Sequence, residues 1–152
     1  MKKIGIGYEN YKEFIDNDMY YIDKTLLIRD IIQLGGKVTL FTRPRRFGKT
    51  LALSMLRTFF ELEYDREGGI IDKEKYFEGK KIMNASPEIL EKMGKYPVIN
   101  LSLKSARQPD FKTSFIKMRE DIVYEIRRHD YLLKSEKLSD EERLELKELI
   151  KP

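Results

Sequence analysis

The tripeptide Gly48-Lys49-Thr50 lies between two segments whose hydrophobic patterns differ. Residues 37–41, K-V-T-L-F, follow a Gly-Gly breaker and are rich in β-branched and aromatic types, so they predict a strand. The residues after the tripeptide are apolar around much of a helical circumference, which predicts a buried helix beginning near Lys49. A Gly-Lys-Thr turn between a strand and a helix is the context of a phosphate-binding loop, so the feature predicts a nucleotide-binding α/β protein.

The loop residues suit the chemistry of nucleotide phosphates. Gly48 has no Cβ and lets the main chain approach phosphate oxygens, while the amides at the start of a helix direct positive partial charge to the same place. Lys49 would hold the β- and γ-phosphates, and the Thr50 hydroxyl would ligate Mg²⁺. We therefore predict a site for ATP and Mg²⁺, with Thr50 as the metal ligand. The predicted cofactor-binding residues are Arg43, Pro44, Arg45, Arg46, Phe47, Gly48, Lys49, Thr50, Leu51 and Asp23.

The loop departs from the general pattern G-x-x-x-x-G-K-[ST] at its first position, where Arg43 replaces glycine. The loop therefore has a second interpretation, as a basic turn that caps the helix and contacts a partner. In that case the chain is a non-catalytic interaction module whose basic loop binds a nucleic acid or an acidic protein. Basic and acidic residues alternate nearly everywhere outside residues 43–49, which disfavours nucleic acid as the partner.

Asp23 has two interpretations. It ends the short apolar run Met19-Tyr20-Tyr21-Ile22, and an acid at the end of a strand beside the loop could approach the metal ion or the nucleotide's base or sugar. It also precedes a helical pattern over residues 24–34 that ends at Gly35-Gly36. We favour the role of helix N-cap, because capping needs no particular topology.

The order of predicted elements gives an α/β fold, with a P-loop NTPase-like parallel sheet and flanking helices. A second strand is predicted at residues 98–103, after Pro97. Only two strands are well supported, so we expect the core to be incomplete. The chain is predicted to be a single, truncated domain over residues 1–152 with a helical tail from about 110 to 152. That tail holds an amphipathic helix over residues 111–126 and a capping box at Ser139-x-x-Glu142.

Composition excludes several classes of protein. The chain has 152 residues, enough for one domain with a core, and no cysteine, which excludes disulfides, zinc-thiolate sites and cysteine nucleophiles. Its net charge of +4 is too small to indicate nucleic-acid binding. No apolar run approaches the roughly 20 residues of a membrane span, and the N-terminus has no secretory pattern. We expect a soluble, cytoplasmic protein that does not contact a membrane.

Three segments together resemble the AAA-ATPase-like family of bacteria and archaea. They are T-R-P-R-R-F-G-K-T at residues 42–50, Y-Y-I-D-K-T at residues 20–25 and P-V-I-N-L-S at residues 97–102. The family's loop carries R-P-R-R where the general pattern begins with glycine, which accounts for Arg43. The resemblance implies a P-loop ATPase core with Lys49 and Thr50 as its Walker A pair, usually ahead of a PD-(D/E)XK nuclease-like region.

A complete P-loop ATPase also needs a Walker B acid at the end of an apolar strand. In the family it follows later as an acidic stretch, and residues 51–152 contain no apolar run that leads into such an acid. We therefore expect the N-terminal part of a longer ATPase, with weak or no hydrolysis on its own. Self-association, or a C-terminal region that this sequence lacks, would then cover apolar faces left exposed.

Overall fold

The computed structural model describes residues 3–42, 44 and 46–151. The chain divides into two compact units, residues 1–98 and residues 99–152. The first unit contains the helices α1 (Tyr11–Asp16), α2 (Leu26–Leu34), α3 (Lys49–Phe60), α4 (Glu74–Phe77) and α5 (Pro87–Leu90) and a 3₁₀ helix at Lys81–Asn84. The second contains α6 (Phe111–Arg127), a 3₁₀ helix at Asp130–Lys134 and α7 (Asp140–Ile150).

The predicted parallel-sheet α/β fold is wrong. Pairing between extended segments in the described residues is limited to three isolated bridges: Lys3 with Met19, Glu61 with Tyr96, and Tyr64 with Ile70. Residues 37–41 form no strand, and Val38 and Leu40 expose 89% and 82% of their surface. β-Branched residues favour a strand only where a neighbouring strand supplies a hydrogen-bonded ladder, and these residues have no such neighbour in the described structure.

The second predicted strand, at residues 98–103, and the short apolar run at residues 19–22 fail in the same way. Residues 19–22 contribute one bridge, at Met19, and residues 98–103 lie outside any ladder. In the latter segment Ile99 is 67% exposed and Leu103 is 71% exposed, so the apolar run has not been buried on either face of a sheet.

The predicted helices are confirmed, because their signals are local. α2 ends where Gly35 adopts a left-handed φ of 59°, and α3 begins at Lys49. α6 covers the predicted amphipathic segment. α7 begins with the predicted capping box, in which Ser139 accepts from the Glu142 amide and the Glu142 side chain accepts from the Ser139 amide.

The core of the first unit holds α1 against α3. Tyr11 is fully buried; its amide donates to Ser54 Oγ at 2.9 Å and its hydroxyl donates to the Tyr76 carbonyl at 3.0 Å. Its ring lies 5.4 Å from the ring of Phe77, which also packs edge-on against Phe59. The buried apolar cluster comprises Tyr11, Ile28, Met55, Phe59, Tyr76, Phe77, Ile82 and Ile89. This packing fixes α3 relative to α1.

No helix in the described part of the chain combines the length and the apolar character needed to cross a lipid bilayer.

Candidate functional site

The turn that leads into α3 has an unusual backbone. Gly48 is the N-cap of α3 with φ 71° and ψ 24°, and Arg46, two residues earlier, also has a positive φ of 69°. A left-handed conformation costs a non-glycine residue about 1–2 kcal/mol, so a strained arginine beside a left-handed glycine suggests a functional turn. A Cβ at Gly48 would meet no atom within 4 Å. Glycine is therefore favoured here by its backbone angles rather than by a lack of space.

The first turn of α3 carries the predicted phosphate and metal residues. Lys49 and Thr50 are both exposed, whereas Leu51 packs partly against the core cluster. The Gly48 carbonyl accepts the first helical hydrogen bond, from the Ala52 amide at 2.9 Å. The turn therefore stands at the positive end of the α3 dipole, and helix N-termini of this kind favour the binding of anions.

A cavity of about 880 Å³ lies against this turn. One part of its wall is the predicted loop, represented by Arg46, Gly48, Lys49, Thr50 and Leu51. The rest is formed by Phe14 and by residues 5–9, G-I-G-Y-E, from the N-terminal segment. The volume falls in the range of small-molecule sites, and the wall combines cationic, hydroxyl and apolar groups.

A second cavity of about 610 Å³ lies against the same turn, and its wall is mainly apolar. It shares Gly48, Lys49 and Thr50 with the first cavity and includes Phe47, which is 59% exposed. Its other lining residues are Lys24, Leu26, Leu27, Asp30, Phe41, Ala52, Leu53 and Leu56. The loop therefore faces two cavities of different character.

Asp23 lies among a set of hydrogen-bond donors. Its Oδ1 accepts from the Thr25 amide at 2.8 Å and the Thr25 hydroxyl at 2.7 Å, and its Oδ2 accepts from the Lys81 amide at 2.8 Å. Partial burial would raise the pKa of Asp23, but these hydrogen bonds outweigh that effect and lower it. The Thr25 hydroxyl in turn accepts from the Ile82 amide. Asp23 thus links the start of α2 to the 3₁₀ helix.

The structure brings most, but not all, of the predicted residues together. Arg46 to Leu51 surround the turn and its cavities, and Pro44 is exposed just before them. Arg43 and Arg45 lie outside the described residues. Asp23 is absent from the described walls of both cavities, so its contact with a cofactor stays a prediction. The expected N-cap of α2 is also displaced: Thr25 occupies that position, although Asp23 makes a cap-like bond to the Thr25 amide.

Sequence reasoning did not find the N-terminal part of the larger cavity. Residues 5–9 match no phosphate- or metal-binding pattern, and they lie about 40 residues before the loop that they meet in the folded chain. The spaced glycines Gly5 and Gly7 are the one local signal, because glycine often marks a close approach of the backbone to another group.

The chain belongs to the AAA-ATPase-like family. The family model, described as predicted AAA-ATPase, matches residues 5–151. This match confirms the resemblance drawn from the three sequence segments, whereas the expected link with a nuclease-like region stays a prediction.

One curated relative is an uncharacterized protein in the vnfD 5' region of Azotobacter chroococcum mcd 1. It is 40% identical to this chain over 60 residues, which cover 39% of this chain and 11% of the relative. The comparison thus spans only a small part of that protein. No solved structure matches the chain.

Proposed function

We propose that this chain binds ATP with Mg²⁺ at the turn that opens α3. The observation that carries the proposal is the position of Lys49 and Thr50. In a chain of the AAA-ATPase-like family, both residues follow the left-handed Gly48 and line the same cavities at a helix N-terminus. Lys49 binds the β- and γ-phosphates, and the helix amides receive their oxygens.

Thr50 is the proposed metal ligand. Its hydroxyl belongs to the same exposed helical turn as Lys49, so one bound triphosphate can contact the ammonium group while its Mg²⁺ contacts the hydroxyl. Mg²⁺ keeps several water ligands in such sites, and a single protein hydroxyl therefore suffices on this side of the metal. Arg46, exposed beside Gly48, supplies additional positive charge and can grip phosphate through two parallel hydrogen bonds.

We further propose that this chain hydrolyses ATP slowly or not at all. Asp23 is the acid suggested by the sequence for the metal, yet its carboxylate already accepts hydrogen bonds from Thr25 and Lys81. The described cavity walls contain two acids, Glu9 and Asp30, and Asp30 is paired with Arg29 at 2.8 Å. The proposed role is therefore nucleotide binding rather than rapid turnover.

The test is thermal stabilisation by ATP with Mg²⁺. A ligand that binds only the folded state adds about 2.7 kcal/mol at a hundredfold excess over its dissociation constant. We expect this stabilisation in the wild type, its loss in Lys49→Ala, and its reduction when EDTA removes Mg²⁺. Lys37→Ala is the matched control, because Lys37 is exposed and stands outside the described walls of both cavities.

The competing proposal is an interaction module. Arg46 and Phe47 are exposed in the turn, as a docking loop requires. If millimolar ATP leaves the melting temperature unchanged while an oligonucleotide or an acidic protein raises it in a salt-sensitive manner, the interaction module is correct. Self-association is tested in the same samples by sedimentation.

A further inference from the structure

This inference rests on the proposed function and concerns the other end of the nucleotide. A nucleotide extends beyond its phosphates, so a site at Lys49 and Thr50 needs an adjacent wall for the ribose and base. Two walls meet the turn: the N-terminal segment of residues 5–9 in the larger cavity, and the faces of α2 and α3 in the smaller one.

The N-terminal segment is held in place by the core. A Cβ on Gly5 would come within 2.5 Å of the Phe14 ring, so the backbone at Gly5 rests directly on that buried side chain. The Tyr8 ring packs edge-on against the same Phe14 ring, with 5.7 Å between centroids and an angle of 85°. Phe14 belongs to α1, whose Tyr11 amide is bonded to Ser54 of α3. The segment therefore has a defined position relative to the turn.

The segment also offers the groups that a nucleoside needs. It lies outside any helix, so its amide and carbonyl groups do not belong to an intrahelical ladder. Gly7 has a φ of 82° and open space where a Cβ would stand. Ile6, 87% exposed, and the Tyr8 ring supply apolar surface, and Glu9 belongs to the same wall.

The wall of the smaller cavity is mainly apolar. Much of it is the helical faces that carry Leu26, Leu27, Leu53 and Leu56, where the backbone groups are bonded within the helices. Its rings, Phe41 and Phe47, and its carboxylate, Asp30, make it the competing place for the nucleoside. Nucleoside sites combine apolar surface with a few polar groups that fix orientation.

We propose that residues 5–9 receive the nucleoside of a nucleotide whose phosphates lie at Arg46–Thr50, with the Tyr8 ring as the aromatic surface for the base. The class of ligand is thus a nucleoside triphosphate that bridges the N-terminal segment and the turn before α3. Base-to-aromatic contact does not depend strongly on which base is present, so purine and pyrimidine triphosphates both fit this surface.

Photolabelling with 8-azido-ATP tests the placement directly. On irradiation the azide loses N₂ and the remaining nitrogen inserts into neighbouring atoms, so the label marks residues near the base. Trypsin cuts after Lys3 and Lys12 and releases residues 4–12 as one peptide. We expect label on that peptide, suppressed by excess ATP. The tryptic peptides of residues 25–29 and 50–57 carry the leucines of the smaller cavity. ATP-suppressed label on either of them, in place of the peptide of residues 4–12, would overturn the inference.

A pair of probes separates this inference from the proposed function. Tripolyphosphate contains the phosphates without the nucleoside. Tyr8→Ala should therefore lower the affinity for ATP roughly tenfold, the scale of one stacked base, and leave the affinity for tripolyphosphate unchanged. Tyr8→Phe keeps the ring and should restore ATP affinity. Leu53→Ala, in the smaller cavity, is the matched control and should affect neither probe.

The outcomes are distinct. If Tyr8→Ala leaves ATP affinity unchanged while Lys49→Ala weakens both probes, the nucleoside lies elsewhere and the phosphate site stands. If neither ATP nor tripolyphosphate binds the wild type, the proposed function fails together with the inference.

Discussion

Replacing Asp23 distinguishes a structural carboxylate from one that serves a metal ion. In the structure this carboxylate joins Thr25 to Lys81, two residues that are far apart in the chain. We expect Asp23→Ala to destabilise the first unit and to leave the affinity for ATP with Mg²⁺ unchanged. Asp23 is absent from the described walls of both cavities, so its removal should not disturb the phosphates.

The magnitude follows from the donors that lose their partner. Hydrogen bonds to a charged group are worth about 1.5–3 kcal/mol each, but Asp23 is only half-buried, so solvent screening favours the low end of that range. Thr25 is fully buried and cannot recover its bonds from water, whereas Lys81 is exposed and can. We therefore expect a loss of about 2–3 kcal/mol.

Urea unfolding and an ATP titration on the same variants provide the assay. Asp23→Asn keeps one acceptor oxygen and should lose about 1–2 kcal/mol. Asp72→Ala is the matched control, because Asp72 is exposed and accepts from the nearby Glu74 amide; its cost should not exceed about 1 kcal/mol. A variant at Asp23 that unfolds like the wild type but no longer binds ATP with Mg²⁺ would refute the structural assignment.

The pH dependence of the same variant has a definite sign. The pKa of Asp23 is lowered in the folded state, so its contribution to stability is present above the unfolded value of about 3.8 and is lost as the pH falls through the folded pKa. Asp23→Ala should therefore be less sensitive to acid than the wild type in this range.

Three further predictions concern the packing and the turn. Gly48→Ala should lower the free energy of unfolding by about 1 kcal/mol, because alanine is strained at φ 71°. Gly36→Ala is the control for urea unfolding and should not destabilise the protein, since Gly36 has no positive φ and a Cβ there would make only ordinary contacts. Phe77→Ala should cost about 3–5 kcal/mol since Phe77 is fully buried, and Phe111→Ala, 83% exposed, should cost under about 0.5 kcal/mol. Burial by itself would raise the pKa of Glu63, but hydrogen bonds from Lys12 and Lys73 outweigh that effect and lower the pKa. Stability should therefore fall as the pH drops below about 4.5, and thermal melts in acid should show a weaker pH dependence for Glu63→Gln.

The helices could be predicted because their signals are local. Gly35 after an apolar periodic run and Ser139 three residues before Glu142 specify an end and a beginning without reference to the rest of the fold. A strand requires a neighbouring strand for its hydrogen bonds, and the local sequence does not identify that neighbour. Val38 and Leu40 have strand-like propensity, yet they remain exposed because no neighbouring strand in the described residues pairs with them.

The candidate site likewise has a part that the sequence predicts and a part that it does not. The turn at Gly48 was predictable, since the residues that define it are consecutive and its left-handed angle suits glycine. The wall at residues 5–9 was not, because it meets the turn through tertiary packing between distant residues, such as the contact of Tyr11 with Ser54, which are 43 residues apart. Asp23 shows the intermediate case: its cap-like bond to Thr25 is local, but its bond to Lys81 depends on tertiary packing.

Titration calorimetry of ATP with Mg²⁺ tests the nucleotide assignment most directly. We predict one binding event per chain, an affinity at least tenfold weaker for Lys49→Ala, and a loss of the Mg²⁺ dependence for Thr50→Ala that Thr50→Ser restores. Equal affinities for the wild type and Lys49→Ala, or no heat of binding at millimolar ATP, would contradict the account.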